Sequence, residues 1–517
     1  MTMPCVLAAV LLRTVAPSGT NDMTSAILDA IGSIRESRDG GTVTLLPGDY
    51  CLRSPVDSDV WVSNHDNPRP RRIFLPIVGV TNLTVRCDGM ARLVADGEGI
   101  CVALMDAKNV RFEGVAFDYA RPFFSVWRLK GGKLVKDGDE YPCELRGRTI
   151  FAVGRGWEER QTLCELFDGE TLAFRGTVWW DGSADRVFDG HPDGTIAMTR
   201  SGFRPNPCVL LYRAEGSAFE RCGAYAAAGM GLLAQRSRDV TLSGWRTRGR
   251  RPIALQADAT HFSNCRGLVK VVDSTFEGMV DDAINVHSTA LKIVAIGGEG
   301  EISCRYMHKQ SVGFEVFLPG ETIRFIKAAT MEPGEEAVVA DVRSEAPDLV
   351  VLRLSGPVPS GYGVGDAVEN ADWQPSVEFC GNVVRNSKPR GTLFTTPRRV
   401  VCSSNLFENV AGQPIYLAGD AMDWYESGAC RDVLISGNVF RHCGFRSGRG
   451  MIQIEPAVSD IKGQKERYHR NILVENNVFE DFCLPLVWAR SAENIRLRGN
   501  RIVGGNDRVI LDNAEIQ

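Results

Sequence analysis

Short β-runs that meet a small polar residue, often Asn, and then an apolar or aromatic residue two positions later recur through much of this chain. They read VRFEGVAFDY, LVKVVDSTFEG, VEFCGNVVRN, VVCSSNLFEN, VLISGNVFRH, ILVENNVFED and IRLRGNRIVGG. Asn382 and Asn405, and again Asn477 and Asn500, stand about 23 residues apart, and longer intervals elsewhere place loops of unequal length inside one period. A unit this short cannot bury its own apolar face, so successive units must stack as a solenoid. With no leucine consensus and no helix in each repeat, the pattern fits a right-handed parallel β-helix, an all-β fold, rather than a leucine-rich repeat. Asn and Gly at the bends are expected to take left-handed backbone angles there.

Residues 21–36, NDMTSAILDAIGSIRE, are the exception, with Asn and Asp as cap candidates and Met23, Ala26, Ile27, Ala30, Ile31 and Ile34 at helical spacing. This N-terminal helix is expected to cap the first open coil, where an exposed stack edge would invite association. Two stretches alternate apolar and polar residues between Gly-, Pro- and Asp-rich turns, and they read as inserted antiparallel β modules. The expected organisation is therefore 1–120 (β-helix with its capping helix), 121–205 (insert), 206–289 (β-helix), 290–372 (insert) and 373–517 (β-helix).

The net charge of −5, spread along the chain, offers no basic face for nucleic acid, and a neutral or weakly charged partner is expected. Fifteen cysteines is an odd number, and no Cys-x-x-Cys pair is present. Most are expected to be reduced and buried, with Cys222, Cys265, Cys380, Cys402, Cys430 and Cys443 at stacked equivalent positions. Neither a metal nor a cofactor is called for. The apolar run Pro4–Leu12 has the look of a signal-peptide core but lacks a basic start and a small-x-small cleavage site, so localisation stays open. No run reaches the ~18 apolar residues of a membrane-spanning helix. A flat lateral face of a β-helix offers a surface for a homodimer.

The segment GMVDDAINVHS sets Asp281 against Asp282. If Ile284 and Val286 point into the coil, then Asn285, His287 and, by extrapolation, Asp281 point out. One coil of about 23 residues earlier, Ile253, Leu255 and Ala257 would point in and Gln256 and Asp258 out, which sets Asp258 beside Asp281 at the ~4.8 Å rung spacing. Two such charges about 5 Å apart repel by roughly 3 kcal/mol, around two pKa units, so one of the three carboxyls is expected to keep its proton near neutral pH. Glycoside hydrolysis needs such a division between acid and base. A turn or a calcium site would also use an Asp-Asp pair.

GMVDDAINVHS, with QADATHFSNCRG, GMGLLAQ, RGTLFTTP and IYLAGDAMDWYESG, resembles the family-110 glycoside hydrolases, exo-acting α-galactosidases on a parallel β-helix. The resemblance covers most of the chain. It implies hydrolysis of terminal α-1,3-linked galactose with inversion, on blood-group-B or linear Galα1,3Gal glycans, outside the cell or in the periplasm. It places Asp258, Asp281 and Asp282 at the catalytic carboxylates. By analogy with β-helix polygalacturonases, Asp281 is the expected acid, and Asp258 and Asp282 hold and deprotonate the water. The apolar face of galactose asks for an aromatic platform and polar readers of its hydroxyls. Trp424 and Tyr425, with Asp420 and Glu426, are the candidates, with Asn285 and His287 nearer the bond and Glu455 as a further hydroxyl ligand. Two alternatives remain: a polygalacturonase-like hydrolase, for which Lys388 and Arg390 are a weak substitute for the uronate-binding elements, and a noncatalytic carbohydrate-binding β-helix.

Overall fold

Parallel strands wind around one apolar interior in the computed structural model, which describes residues 11–19, 21–37, 39–67, 70–137, 143–147, 149–179, 188–247 and 253–517. The all-β parallel β-helix expected from the period is the observed fold. In the C-terminal coils the recurrent phrase closes the bend through its asparagine. Asn382, Asn405, Asn438, Asn477 and Asn500 form a buried ladder in which each side-chain Nδ2 donates to the Oδ1 of the next at 2.9–3.1 Å. The same Oδ1 also accepts the backbone N–H one rung back.

Asn386, Asn409 and Asn476 take the expected left-handed angle, with φ of 55, 55 and 56°, but the five ladder asparagines do not. The left-handed angle falls on the residue before each asparagine, at Gly381, Ser404, Gly437, Asn476 and Gly499, with φ of 69, 58, 65, 56 and 63°. The ladder asparagine is therefore selected for its side chain, which supplies a donor and an acceptor to a bend whose own backbone groups would otherwise be buried unpaired. Asn405→Ala should lower stability by about 2–4 kcal/mol, since it orphans the buried N–H of Asn382 and removes one hydrogen bond each from Asn382 Nδ2 and Asn438 Oδ1. A shift in urea midpoint without a change in slope would show it.

Helix Thr24–Arg35 buries Ile27, Ala30, Ile31 and Ile34 over the first coil and closes it. Asp22 ties down its first turn, accepting from the Thr24 amide at 3.0 Å and its hydroxyl at 2.6 Å. The first insert is a five-stranded antiparallel sheet, with Ser125–Lys130, Ile196–Arg200 and Leu163–Phe167 at its centre, beside a three-stranded one. The second grows directly out of a coil strand. Ile284–Ile296 leaves the β-helix and pairs antiparallel with Glu301–Arg305 and Ala367–Asn370, enclosing a core of its own.

Cysteines 87, 101, 164, 208, 222, 265, 304, 402, 430 and 443 are free and buried. They are not all stacked equivalents, because Cys402 pairs in register with Phe379 and Cys380 with Ser403. A cysteine here fills space as a small apolar residue wherever a bend leaves room. The Pro4–Leu12 run lies outside the described residues except for Leu11 and Leu12, which belong to strand Leu11–Val15. No described helix is long and apolar enough to cross a membrane.

Candidate active site

One face of the coil runs through Val209–Tyr212, Leu232–Gln235, Thr260–Ser263, Ile284–Ile296, Thr392–Phe394, Ile415–Leu417 and Ile452–Ile454 in parallel register. Thr260 pairs with Ile284 and Ile284 with Thr392. Two residues ahead of each stand Asp258, Asp282 and Arg390, which therefore form a column on the bend leading into this face. The three carboxyls meet, with ligand oxygens within 4.8 Å of one another. The coil between them is one residue longer than the expected 23, so the rung partner of Asp258 is Asp282, whose amide N–H donates to Asp258 Oδ1 at 3.2 Å. Residues 253–259 are a bend and not a strand, so Ile253 packs outward against the first insert and Ala257 outward beside Met230, while Leu255 alone of the three points into the coil.

Crowding on this scale needs a cation, and Arg390 supplies it. Its Nε donates to Asp282 Oδ1 at 2.8 Å and its Nη2 to Asp281 Oδ1 at 3.4 Å. Asp282 is fully buried, and its second oxygen has no partner. Burial pushes both Asp258 and Asp282 well above the usual carboxylate range; the Asp281 charge adds to this, and Arg390 opposes it. The upward shift in this cluster thus comes from burial more than from mutual repulsion.

Behind the column runs a second line of polar groups. His261 Nδ1 lies 2.6 Å from Asp258 Oδ2, its Nε2 lies 2.7 Å from His287 Nε2, and His287 Nδ1 lies 3.0 Å from the carbonyl of Ser288. Glu426 Oε1 lies 3.5 Å from His287 Nε2. Asn64 donates to Glu426 Oε1 at 3.0 Å and Asn285 to Oε2 at 3.4 Å. His261, His287 and Glu426 bring one ligand atom each within 4.8 Å, as do the three aspartates. Two nitrogens already 2.7 Å apart are closer than a pair of zinc ligands at about 2.0–2.1 Å with tetrahedral angles. Arg390 already supplies the positive charge among the aspartates.

The pocket in front of the column has a volume of about 110 Å³. Asp258, Asp281, Asn285, Trp424 and Glu426 line it, together with Asn64, Arg204, Met230, His261, Arg390 and Leu393. Trp424 stacks on His308 of the second insert at 3.7 Å between ring centroids, with the Arg204 guanidinium 5.8 Å from its ring. Asp282 and His287 are set behind the wall, at 0% and 1% exposure. Asp420 is not on the pocket wall, and its carboxylate collects the amides of Met422, Asp423, Trp424 and Tyr425. It builds the loop that presents Trp424 and Glu426. Tyr425, at φ 60°, turns away and packs with Ala290, Ile326 and Tyr468. Glu455 is bound by Arg449 at 2.7 Å and Gln453 at 2.8 Å, away from the pocket wall.

The residues missed by sequence reasoning divide by origin. His261, three positions after Asp258 as Asn285 is three after Asp282, was within reach of a register argument. Arg390 was also in column but lay beyond the second insert, a separation no fixed period spans. Asn64, Arg204 and His308 come from loops and inserts and carry no sequence signal. Lys388 is held by Glu165 at 2.8 Å and Arg390 by the aspartates, which occupies both candidates for a uronate.

Residues 301–368, inside the second insert, match the GLAA-B beta-barrel domain II family model. The chain is 37% identical, over 94% of its length, to an alpha-1,3-galactosidase B of Akkermansia muciniphila, of which it spans 65%. It is 32% identical to an alpha-1,3-galactosidase B of Parabacteroides distasonis, covering 94% of this chain and 86% of that one. For an alpha-1,3-galactosidase B of Phocaeicola vulgatus the identity is 33%, over 86% and 82% of the two chains.

Proposed function

We propose, from the premise that this chain belongs to the α-1,3-galactosidase family of glycoside hydrolases, family 110, that it is an exo-acting galactosidase removing terminal α-1,3-linked galactose with inversion. The observation that carries this reading is the convergence of Asp258 and Asp281 on one small pocket beside Trp424, with the Asp282 carboxyl packed against them behind its wall. A pocket of about 110 Å³, well under the roughly 300–1,000 Å³ of drug-sized sites, suits one terminal sugar better than an internal stretch of polymer. Trp424 offers a flat apolar platform to a galactose face, and Asn64, Asn285, Arg204 and Glu426 offer hydrogen bonds to its hydroxyls.

Asp281, the most exposed of the three aspartates with a 22% exposed side chain, gives its proton to the glycosidic oxygen. Asp258, on the pocket wall, takes the proton of the attacking water. Asp282 lies behind the wall, so its part in this scheme is to hold Arg390 and, through its amide, Asp258. Blood-group-B and linear Galα1,3Gal glycans are the proposed substrates.

Inversion enters with the family and not from spacing. Inverting enzymes keep their two carboxyls about 6.5–9.5 Å apart and retaining ones about 5–5.5 Å, and ligand atoms of all three aspartates here fall within 4.8 Å. Proton NMR of Galα1,3Gal incubated with the protein separates the cases. β-Galactose as the first anomer released supports hydrolysis and inversion together. α-Galactose first would keep the substrate and replace inversion by retention, and no release from folded protein would defeat the substrate assignment and favour a noncatalytic sugar-binding β-helix.

A further inference from the structure

The hydrogen bonds behind the pocket fix where protons sit. His287 Nδ1 faces a carbonyl at 3.0 Å, an acceptor only, so it carries a hydrogen. When His287 is neutral its Nε2 is an acceptor, and His261 Nε2, 2.7 Å away, must donate to it. That leaves His261 Nδ1 as an acceptor 2.6 Å from Asp258 Oδ2, so the hydrogen between them belongs to the Asp258 carboxyl. Three hydrogens occupy this line, and any other arrangement that satisfies every contact also has three and differs by moving one or two of them across their hydrogen bonds. Within the line, Asp258 as an ion requires a histidinium at His261 or at His287.

We propose that the His261–His287 pair is a proton store that turns Asp258 from a buried acid into a base, with Glu426 stabilising the stored charge. This rests on the reading of Asp258 as the residue that receives the water's proton. The Asp258 Oδ2–H bond breaks as His261 Nδ1–H forms, His261 Nε2–H breaks as His287 Nε2–H forms, and His287 becomes an imidazolium beside the Glu426 carboxylate. Asp258 is then ionised with no proton exchanged with solvent. Water adds to the anomeric carbon, its proton passes to Asp258, and Asp281 gives its own to the leaving oxygen. The line now holds one proton too many, which returns to Asp281 and closes the cycle.

The surroundings agree with a neutral resting state. Burial takes His261 down to about 3 and keeps Asp258 well above the carboxylate range. Arg204, Arg390 and His65 face this pair as the surrounding basic groups, with Asp281 and Glu426 as the opposing acids. Glu426 has a defined orientation for its task, held by Asn64 and Asn285 at 3.0 and 3.4 Å. Both histidines are positioning residues in this account, because each reaches the reacting atoms through Asp258.

Two readouts test the store. Nitrogen NMR of protein labelled at its 7 histidines should find His261 protonated only at Nε2 and His287 only at Nδ1 at pH 7, whatever the substrate proves to be. Kinetics on Galα1,3Gal should show His261→Gln and His287→Gln losing about 10- to 100-fold in kcat at pH 7 with KM nearly constant. Without an acceptor Asp258 keeps its proton, so activity should return as pH rises and the acid limb of the profile should move upward. A hydrogen on His261 Nδ1, no loss in either variant, or an equal loss at every pH would overturn the proposal. So would a stoichiometric bound metal whose removal by EDTA abolishes activity. If His261→Gln does not fold by circular dichroism, His287→Gln, one step further from Asp258, decides. If Galα1,3Gal is not cleaved at all, the NMR readout still judges the proton arrangement, and only the substrate reading falls.

Discussion

Asp281→Asn is expected to reduce kcat by about 10²–10⁴-fold while leaving the thermal midpoint unchanged. The substitution keeps the shape of the side chain and an oxygen for Arg390 Nη2, now 3.4 Å from Asp281 Oδ1, and it deletes only the acidic proton. As the acid, Asp281 carries a proton, and the amide replaces that neutral carboxyl with a neutral group of the same shape, so a large loss of turnover should accompany no loss of fold. Galactose binding, measured by titration calorimetry, should persist. If kcat and stability fall together, Asp281 is holding the bend and not donating a proton.

Arg390→Met should cost about 3–5 kcal/mol of stability at pH 7.5, the largest effect expected from a single residue here. Methionine fills similar volume but leaves Asp282 fully buried with neither oxygen compensated, since Oδ2 is already without a partner. The cost should depend on pH in a definite sense. Burial already raises the Asp282 pKa, and losing Arg390, which lowers it, raises it further. A carboxyl whose folded pKa exceeds its unfolded one favours folding at low pH and loses that advantage as pH climbs through the folded value. Urea midpoints of the variant should therefore approach those of the parent near pH 5 and diverge toward pH 7.5. A deficit that is flat with pH would mean that packing, and not an unpaired carboxylate, sets the cost.

The period of the Asn-containing phrase was enough to establish the coil, because each rung buries the same positions and repeats the same side-chain bonds. A repeated local pattern leaves one stacking solution. The two inserts were legible for the opposite reason, as breaks in that pattern. The meeting of Asp258, Asp281 and Asp282 was legible too, since neighbouring rungs stand about 4.8 Å apart and outward positions cannot avoid one another. A coil one residue longer than the expected 23 then changed the partner of Asp258 from Asp281 to Asp282, which is the sensitivity to register of any period-2 argument.

What the sequence by itself determined is the solenoid, its capping helix, its inserts and the carboxylate cluster, all of which follow from interactions within one coil or between adjacent coils. Tertiary structure alone decided what surrounds the cluster. Arg390 joins the column across an insert, Asn64 and Arg204 arrive on loops, and His308 of the second insert stacks on Trp424. Asp420, a candidate ligand by sequence, became the clasp of the loop that carries Trp424, because the amides of four neighbouring residues fold onto its carboxylate. Contacts of this kind depend on where unequal loops fold back, and no local period records that.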